Sequence, residues 1–142
     1  MEESASGNKT KKEELKMKVF SVVLAMLFLI TSLAFAERKG KICVAAKEKS
    51  SGAAVSKQAG LAPFFLFFDG KGKMIEAIEN PYKDKEGAGK SVAELLGNKA
   101  VTVVVAEEFG GQIVEVMKGK GIKTFSFRGS ALEAVKKVLQ SN

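Results

Sequence analysis

Val101-Thr102-Val103-Val104-Val105-Ala106 decides how this chain folds. The stretch is almost unbroken β-branched sequence, with no polar residue recurring at every second position. A strand with one wet face alternates, so a continuous apolar strand is one covered on both faces, as in a parallel sheet between helices. The sequence on either side fits that placement. Before it, Ala88, Val92, Leu95 and Leu96 fall at helical spacing and Gly97-Asn98 closes the element. Ser91 and Glu94 also have the spacing of a capping box, which leaves two starts open, one at the preceding glycines and one later. After it, Glu107-Glu108-Phe109-Gly110-Gly111 is a turn, and Ile113, Val116 and Met117 give the next helix an apolar face. Lys118-Gly119-Lys120-Gly121 stops that helix with glycine and favourable positive charge. Ile122 to Phe127 reads as a strand. Ser130-Ala131-Leu132-Glu133 is a capping box opening a last helix, whose buried face is Ala131, Ala134, Val135, Val138 and Leu139. A right-handed crossover then sets the Val101 and Ile122 strands side by side and parallel.

Toward the N-terminus, Ala62-Pro63-Phe64-Phe65-Leu66-Phe67-Phe68-Asp69 is too aromatic to leave a face in water and reads as a strand buried on both sides. Asp69-Gly70-Lys71-Gly72 turns the chain, and Lys73 to Glu79 returns as the second arm of a hairpin. Lys41-Ile42-Cys43-Val44-Ala45-Ala46 is a short buried strand with Cys43 as a small core residue. Lys47 to Gly60 has no sustained period and reads as a long loop. The predicted order is β-β-β-α-β-α-β-α, a five-stranded mixed sheet in an α/β domain with helices packed on it. If the first strand lies beside Val101 and parallel to it, the loops Lys47 to Gly60 and Glu107 to Gly111 form one rim. Ligands of open α/β sheets bind at such rims.

The 36 residues before Glu37 are of another kind. Met1 to Lys16 is polar, rich in lysine and glutamate, and without an apolar pattern. Val19 to Ala36 is uncharged, follows Lys16 and Lys18, and ends in Ala34-Phe35-Ala36. That matches a secretory signal peptide cleaved after Ala36, leaving an exported, periplasmic or extracellular domain over residues 37–142. The alternative is an uncleaved anchor, which at this length reaches the short limit for a membrane span. The formal charge is +7, but the lysines are scattered singly among glutamates, which is a solvated surface and not a nucleic-acid stripe.

The chain has one cysteine and no histidine. No intrachain disulfide can form, and neither Ser-His-Asp nor Cys-His chemistry can be built. Two-metal phosphoryl chemistry needs converging carboxylates. The first strand carries none, Asp69 sits in a turn, and Glu107 and Glu108 sit on the rim. What remains is Gly87-Ala88-Gly89, a turn leading into a helix. It is either a turn of small residues or a place where backbone N–H groups approach an anion. Ser56, Gly60, Gly87, Ala88, Gly89, Phe109 and Gly110 are the expected binding residues.

From Lys41 to Leu139 the chain resembles the dinitrogenase iron-molybdenum cofactor biosynthesis domain. The resemblance runs through Lys41-Ile42-Cys43-Val44-Ala45, Val55-Ser56 with Gly60-Leu61-Ala62-Pro63-Phe64-Phe65, and Glu79-Asn80-Pro81. It continues through Gly87-Ala88-Gly89, Val103-Val104-Val105-Ala106 with Phe109-Gly110, and Gly121-Ile122-Lys123. It implies a ribonuclease-H-like three-layer fold and a non-enzymatic domain that binds a small anionic ligand or an iron-sulfur or iron-molybdenum type cluster. It also implies departures: where the family commonly carries aromatic, basic or histidine residues, this chain has Gln58, Ala59, Leu61 and Glu86. One cysteine without histidine cannot supply the thiolate shell of an iron-sulfur cluster. The competing expectation is an interaction protein that keeps the fold without the cofactor site.

Overall fold

The computed structural model describes residues 3–36 and 40–141, with side-chain exposure for 11–27 and 40–141. The chain divides into two units, Met1–Arg38 and Lys39–Asn142. The first is a single helix, α1 (Glu3–Ala36). Its opening residues, read from the sequence as patternless, are helical from Glu3, as their content of Glu, Lys, Ala and Leu favours. Leu15, Met17, Phe20 and Met26 are all well exposed along it. Among the described residues no helix is long and apolar enough to cross a membrane. The expected cleavage junction, between Ala36 and Glu37, runs into residues outside the described ones.

The second unit contains β1 (Lys41–Ala46), β2 (Phe64–Phe68), β3 (Met74–Glu79), α2 (Gly89–Gly97), β4 (Val101–Ala106), α3 (Gly111–Gly119), β5 (Lys123–Ser126) and α4 (Ala131–Gln140). The sheet order is β3-β2-β1-β4-β5. β1 runs antiparallel to β2 and parallel to β4, β2 antiparallel to β3, and β4 parallel to β5. The mixed sheet and the element order are those expected from the sequence.

Alternation along the buried strands divides the core into two layers, one on each side of the sheet. Phe65 and Phe67 join Cys43, Ala45, Val104 and Ala106 beneath Val92 and Leu96 of α2 and Ile113 and Met117 of α3. Leu66 and Phe68 join Ile42, Val44, Val103 and Val105 beneath Ala134, Val135 and Val138 of α4. Each face of the Phe64–Phe68 run therefore fills a different core, which is why the run has no polar position.

Local chemistry fixes the element ends. At the hairpin turn, Asp69 Oδ1 accepts from the N–H groups of Lys71 and Lys73 at 2.9 Å each. These bonds favour the carboxylate and lower the Asp69 pKa. Ser130 caps α4 with a complete capping box: its hydroxyl accepts from the Glu133 N–H, and Glu133 accepts from the Ser130 N–H. Gly121, with φ +73, ends the α3 segment in a left-handed conformation that glycine adopts without steric penalty. At α2 the start at the glycines holds and the later one, at a capping box, does not. The helix starts at Gly89 with Ala88 as N-cap and no side-chain cap bond, so Ser91 lies inside its first turn instead of capping it.

Cys43 is fully buried, and desolvation pushes its thiol pKa far above the usual value. A thiol reagent should modify the protein only after unfolding, and Cys43→Ala should cost about 1 kcal/mol. Because the folded pKa is the raised one, the thiol's contribution is complete below the unfolded value. It should decline as pH rises above about 8.5, where the unfolded chain ionises and the folded one does not. Rapid labelling of the native protein would contradict this placement.

Candidate functional site

The strands β1 and β4 end at the same edge of the sheet, and the segments leaving them are tied together. The stretch read as a loose loop from Lys47 to Gly60 is folded back on the domain. Lys47 N–H donates to Ala54 O at 3.0 Å, Ser56 N–H to Ala45 O at 2.8 Å, and Val55 N–H to Gly129 O at 2.9 Å. Beyond β4, Glu107 N–H donates to Ser56 O at 3.0 Å and Glu108 N–H to Lys57 O at 2.8 Å. The loop after β1 thus returns antiparallel to the strand end at Ala46 and Val55, then joins the segment after β4 as far as the parallel bridge between Gln58 and Glu108.

At this rim lies a cleft of about 490 Å³, lined by residues 58–61, 85–89 and 108–113. Six of the seven residues expected from the sequence meet there: Gly60, Gly87, Ala88, Gly89, Phe109 and Gly110. Ser56 does not. It is 7% exposed, and its hydroxyl is turned to Gln58 O at 3.5 Å, because pairing with β1 draws its backbone into the domain. Gln58, Lys85, Glu108 and Gln112 also line the cleft, and none was among the residues expected to bind. Their signal in the sequence is only that they flank the glycines on the predicted rim.

Two helices begin at this cleft. The first bonds recorded at their starts are Val92 N–H to Ala88 O at 3.0 Å and Val114 N–H to Gly110 O at 3.2 Å. Neither helix start receives a side-chain cap, and neither has an acidic residue in its first turn. The leading N–H groups of α2 and α3 are therefore the donors that each helix leaves without an intrahelical partner, and both macrodipoles present their positive ends at one place.

The glycines of the site differ in what requires them. Gly87 has φ +74, so its backbone alone selects glycine. Gly89 has no such φ. What restricts Gly89 is proximity: a Cβ there would lie 3.6 Å from both Cβ and Cγ1 of Ile113, and the site of a Cβ on Gly60 is 3.9 Å from the Gly89 Cα. Gly110 and Gly111 have neither restriction. An added Cβ would meet nothing within 4 Å, and neither has a positive φ. Gly111, the first residue of α3, therefore leaves bare backbone at the cleft where the fold does not ask for it.

Asn80 ties the first wall to the turn that leads to the second. It is 1% exposed; its Nδ2 donates to Gly60 O at 3.1 Å and Ala62 O at 2.9 Å, and its Oδ1 accepts from the Tyr82 N–H at 2.9 Å. In the sequence Asn80 enters only within Glu79-Asn80-Pro81, one of the stretches that carry the family resemblance, with no role attached to it.

The donor set decides what the cleft suits. It offers backbone N–H groups, the amides of Gln58 and Gln112, and Lys85, against the carboxylates of Glu86 and Glu108. It has no cysteine or histidine, and among the described residues no group of three or more His, Cys, Asp or Glu is arranged to hold a metal ion. Such a set fits an anion whose metals already carry their own ligands. It does not fit a cluster that needs thiolate or imidazole from the protein.

The sequence profile of the family described as "Dinitrogenase iron-molybdenum cofactor" matches residues 40–141. No curated protein matches the chain. Among solved structures, the apo form of the orange protein of Desulfovibrio gigas superposes with a TM-score of 0.66 at 22% identity, covering 72% of this chain and 88% of that one. A protein of Thermotoga assigned as NifB gives 0.61 at 23% identity, with coverage of 72% and 89%. A protein of Methanocaldococcus jannaschii assigned as a dinitrogenase gives 0.52 at 10% identity, with coverage of 72% and 90%. At these identities the structures establish a shared fold.

Proposed function

This chain belongs to the dinitrogenase iron-molybdenum cofactor family through residues 40–141, and on that premise we propose that it is a non-enzymatic, exported binding domain for a small anionic metal–sulfur cofactor. The observation that carries the reading is the meeting of two uncapped helix starts at one glycine-lined cleft. The N–H groups leading α2 and α3 hold the anion, Gly87, Gly110 and Gly111 let it approach the backbone, and Phe109 and Leu61 supply apolar lining. When bound, the cofactor brings its own metal–sulfur chemistry. The chain's part is to hold it and limit its contact with water. Glu86 and Glu108 oppose an anion, and Lys85 and the helix dipoles offset them.

Gly111→Ala tests the reading, because it separates binding from folding. Alanine is compatible with the backbone there, so stability should rise by about 0.4–1 kcal/mol. Affinity for tetrathiomolybdate, used as a molybdenum–sulfur anion, should fall. Unchanged affinity in the stabilised variant would favour the second reading, an interaction protein that keeps the fold without the cofactor site. The absence of histidine and cysteine from the cleft lining is the observation on that side.

Export rests on Lys16, Lys18, the uncharged run from Val19 and Ala34-Phe35-Ala36. Mass analysis of protein recovered outside the cytoplasm should give a chain beginning at Glu37. Full-length protein in the membrane fraction would point to the uncleaved anchor instead.

A further inference from the structure

The structure assigns to Asn80 the role of positioning residue for the cleft, by holding the wall at Gly60 to the turn that leads to residues 85–89; the assignment rests on the anion-binding reading above. The three walls are joined in different ways. Residues 58–61 and 108–113 are tied by backbone bonds, including Ala59 N–H to Glu108 O at 3.3 Å. Residues 85–89 pack on 108–113 through Gly89 and Ile113. Between the first wall and the turn that leads to the second, the polar tie recorded among the described residues is Asn80.

Its partners fix the orientation of its amide. Two carbonyls, of Gly60 and Ala62, require the nitrogen on one side, and the Tyr82 N–H requires the oxygen on the other. The two halves of the side chain therefore do separate work. Oδ1 shapes the turn, which continues through Lys83 N–H to Asn80 O at 3.4 Å and Lys85 N–H to Tyr82 O at 3.0 Å toward Glu86 and Gly87. Nδ2 holds the Gly60 carbonyl, on a residue that lines the cleft. With the Gly60 carbonyl held on Nδ2, the place for a Cβ on Gly60 lies 3.9 Å from the Gly89 Cα, so Asn80 sets how closely the first wall stands to the start of α2.

Asn80→Asp separates the two functions, because it keeps the acceptor for Tyr82, loses both donors and sets a carboxylate oxygen against the carbonyls of Gly60 and Ala62, which drives the first wall away. Asn80→Ala loses all three bonds. Affinity for tetrathiomolybdate is to be measured at pH 8 with the full-length chain, at a temperature where circular dichroism shows each variant folded. The assignment predicts the order wild type, then Ala, then Asp, with at least tenfold between wild type and Asp. The loss in Asp should be matched by faster amide exchange at 58–61 but not in β4. If Asn80 serves only the turn, Asp binds like wild type and Ala is the weakest, which overturns the assignment while leaving the anion reading intact. No binding by the wild type overturns the anion reading and this assignment with it.

Discussion

Gly89→Val should weaken binding of tetrathiomolybdate by about 2–3 kcal/mol, roughly fiftyfold, because it removes close approach to one of the two helix starts. Gly89 opens α2 and lines the cleft, and a Cβ there would stand in ordinary contact with Ile113 at 3.6 Å. Valine adds two further methyl groups at that helix start, and their bulk should keep a ligand from the leading N–H groups of α2. The backbone φ is not left-handed, so the variant should remain folded. Thermal unfolding and equilibrium dialysis on the same preparation separate the two effects. A folded Gly89→Val protein with wild-type affinity would mean that Gly87-Ala88-Gly89 is a turn and nothing more.

Phe67→Ala should cost about 4 kcal/mol, enough to lower the midpoint of thermal unfolding by roughly 15–30 °C for a domain of this size. Phe67 is fully buried in the layer beneath α2 and α3. Lys99 Nζ stands 5.3 Å from its ring centroid while pairing with Glu76, so truncation would also loosen a contact between the α2–β4 turn and β3. Differential scanning calorimetry checks the figure. A loss below 1 kcal/mol would show that the site collapses around the missing ring, against the two-layer packing described above.

The readable parts of the sequence were those in which one physical effect dominates. Val101–Ala106 and Phe64–Phe68 are so apolar that only burial on both faces suits them, and the crossover rule set β5 beside β4, while the place of β1 beside β4 entered only as a condition. The capping box at Ser130 was correctly placed because an apolar helical face begins directly behind it. The same spacing at Ser91 and Glu94 misled, because α2 has already started at Gly89, with its first donors left to the cleft. Lys47 to Gly60 looked unstructured because its order comes from backbone bonds to Gly129, Glu107 and Glu108, far along the chain, which no local period reveals. Ser56 was misplaced for that reason. Asn80 stayed hidden because its partners Gly60 and Ala62 lie behind the hairpin, 20 and 18 residues away.

Titration of the full-length protein with tetrathiomolybdate, followed residue by residue through backbone amide shifts, tests the central claim most directly. The account predicts saturable binding of one anion per chain, with the largest shifts at Gly87, Gly89, Gly111 and Gln112. Absence of saturation would contradict it. So would shifts centred on the groove of about 500 Å³ beside Gly40, Thr102 and Leu139, near the opposite ends of β1 and β4.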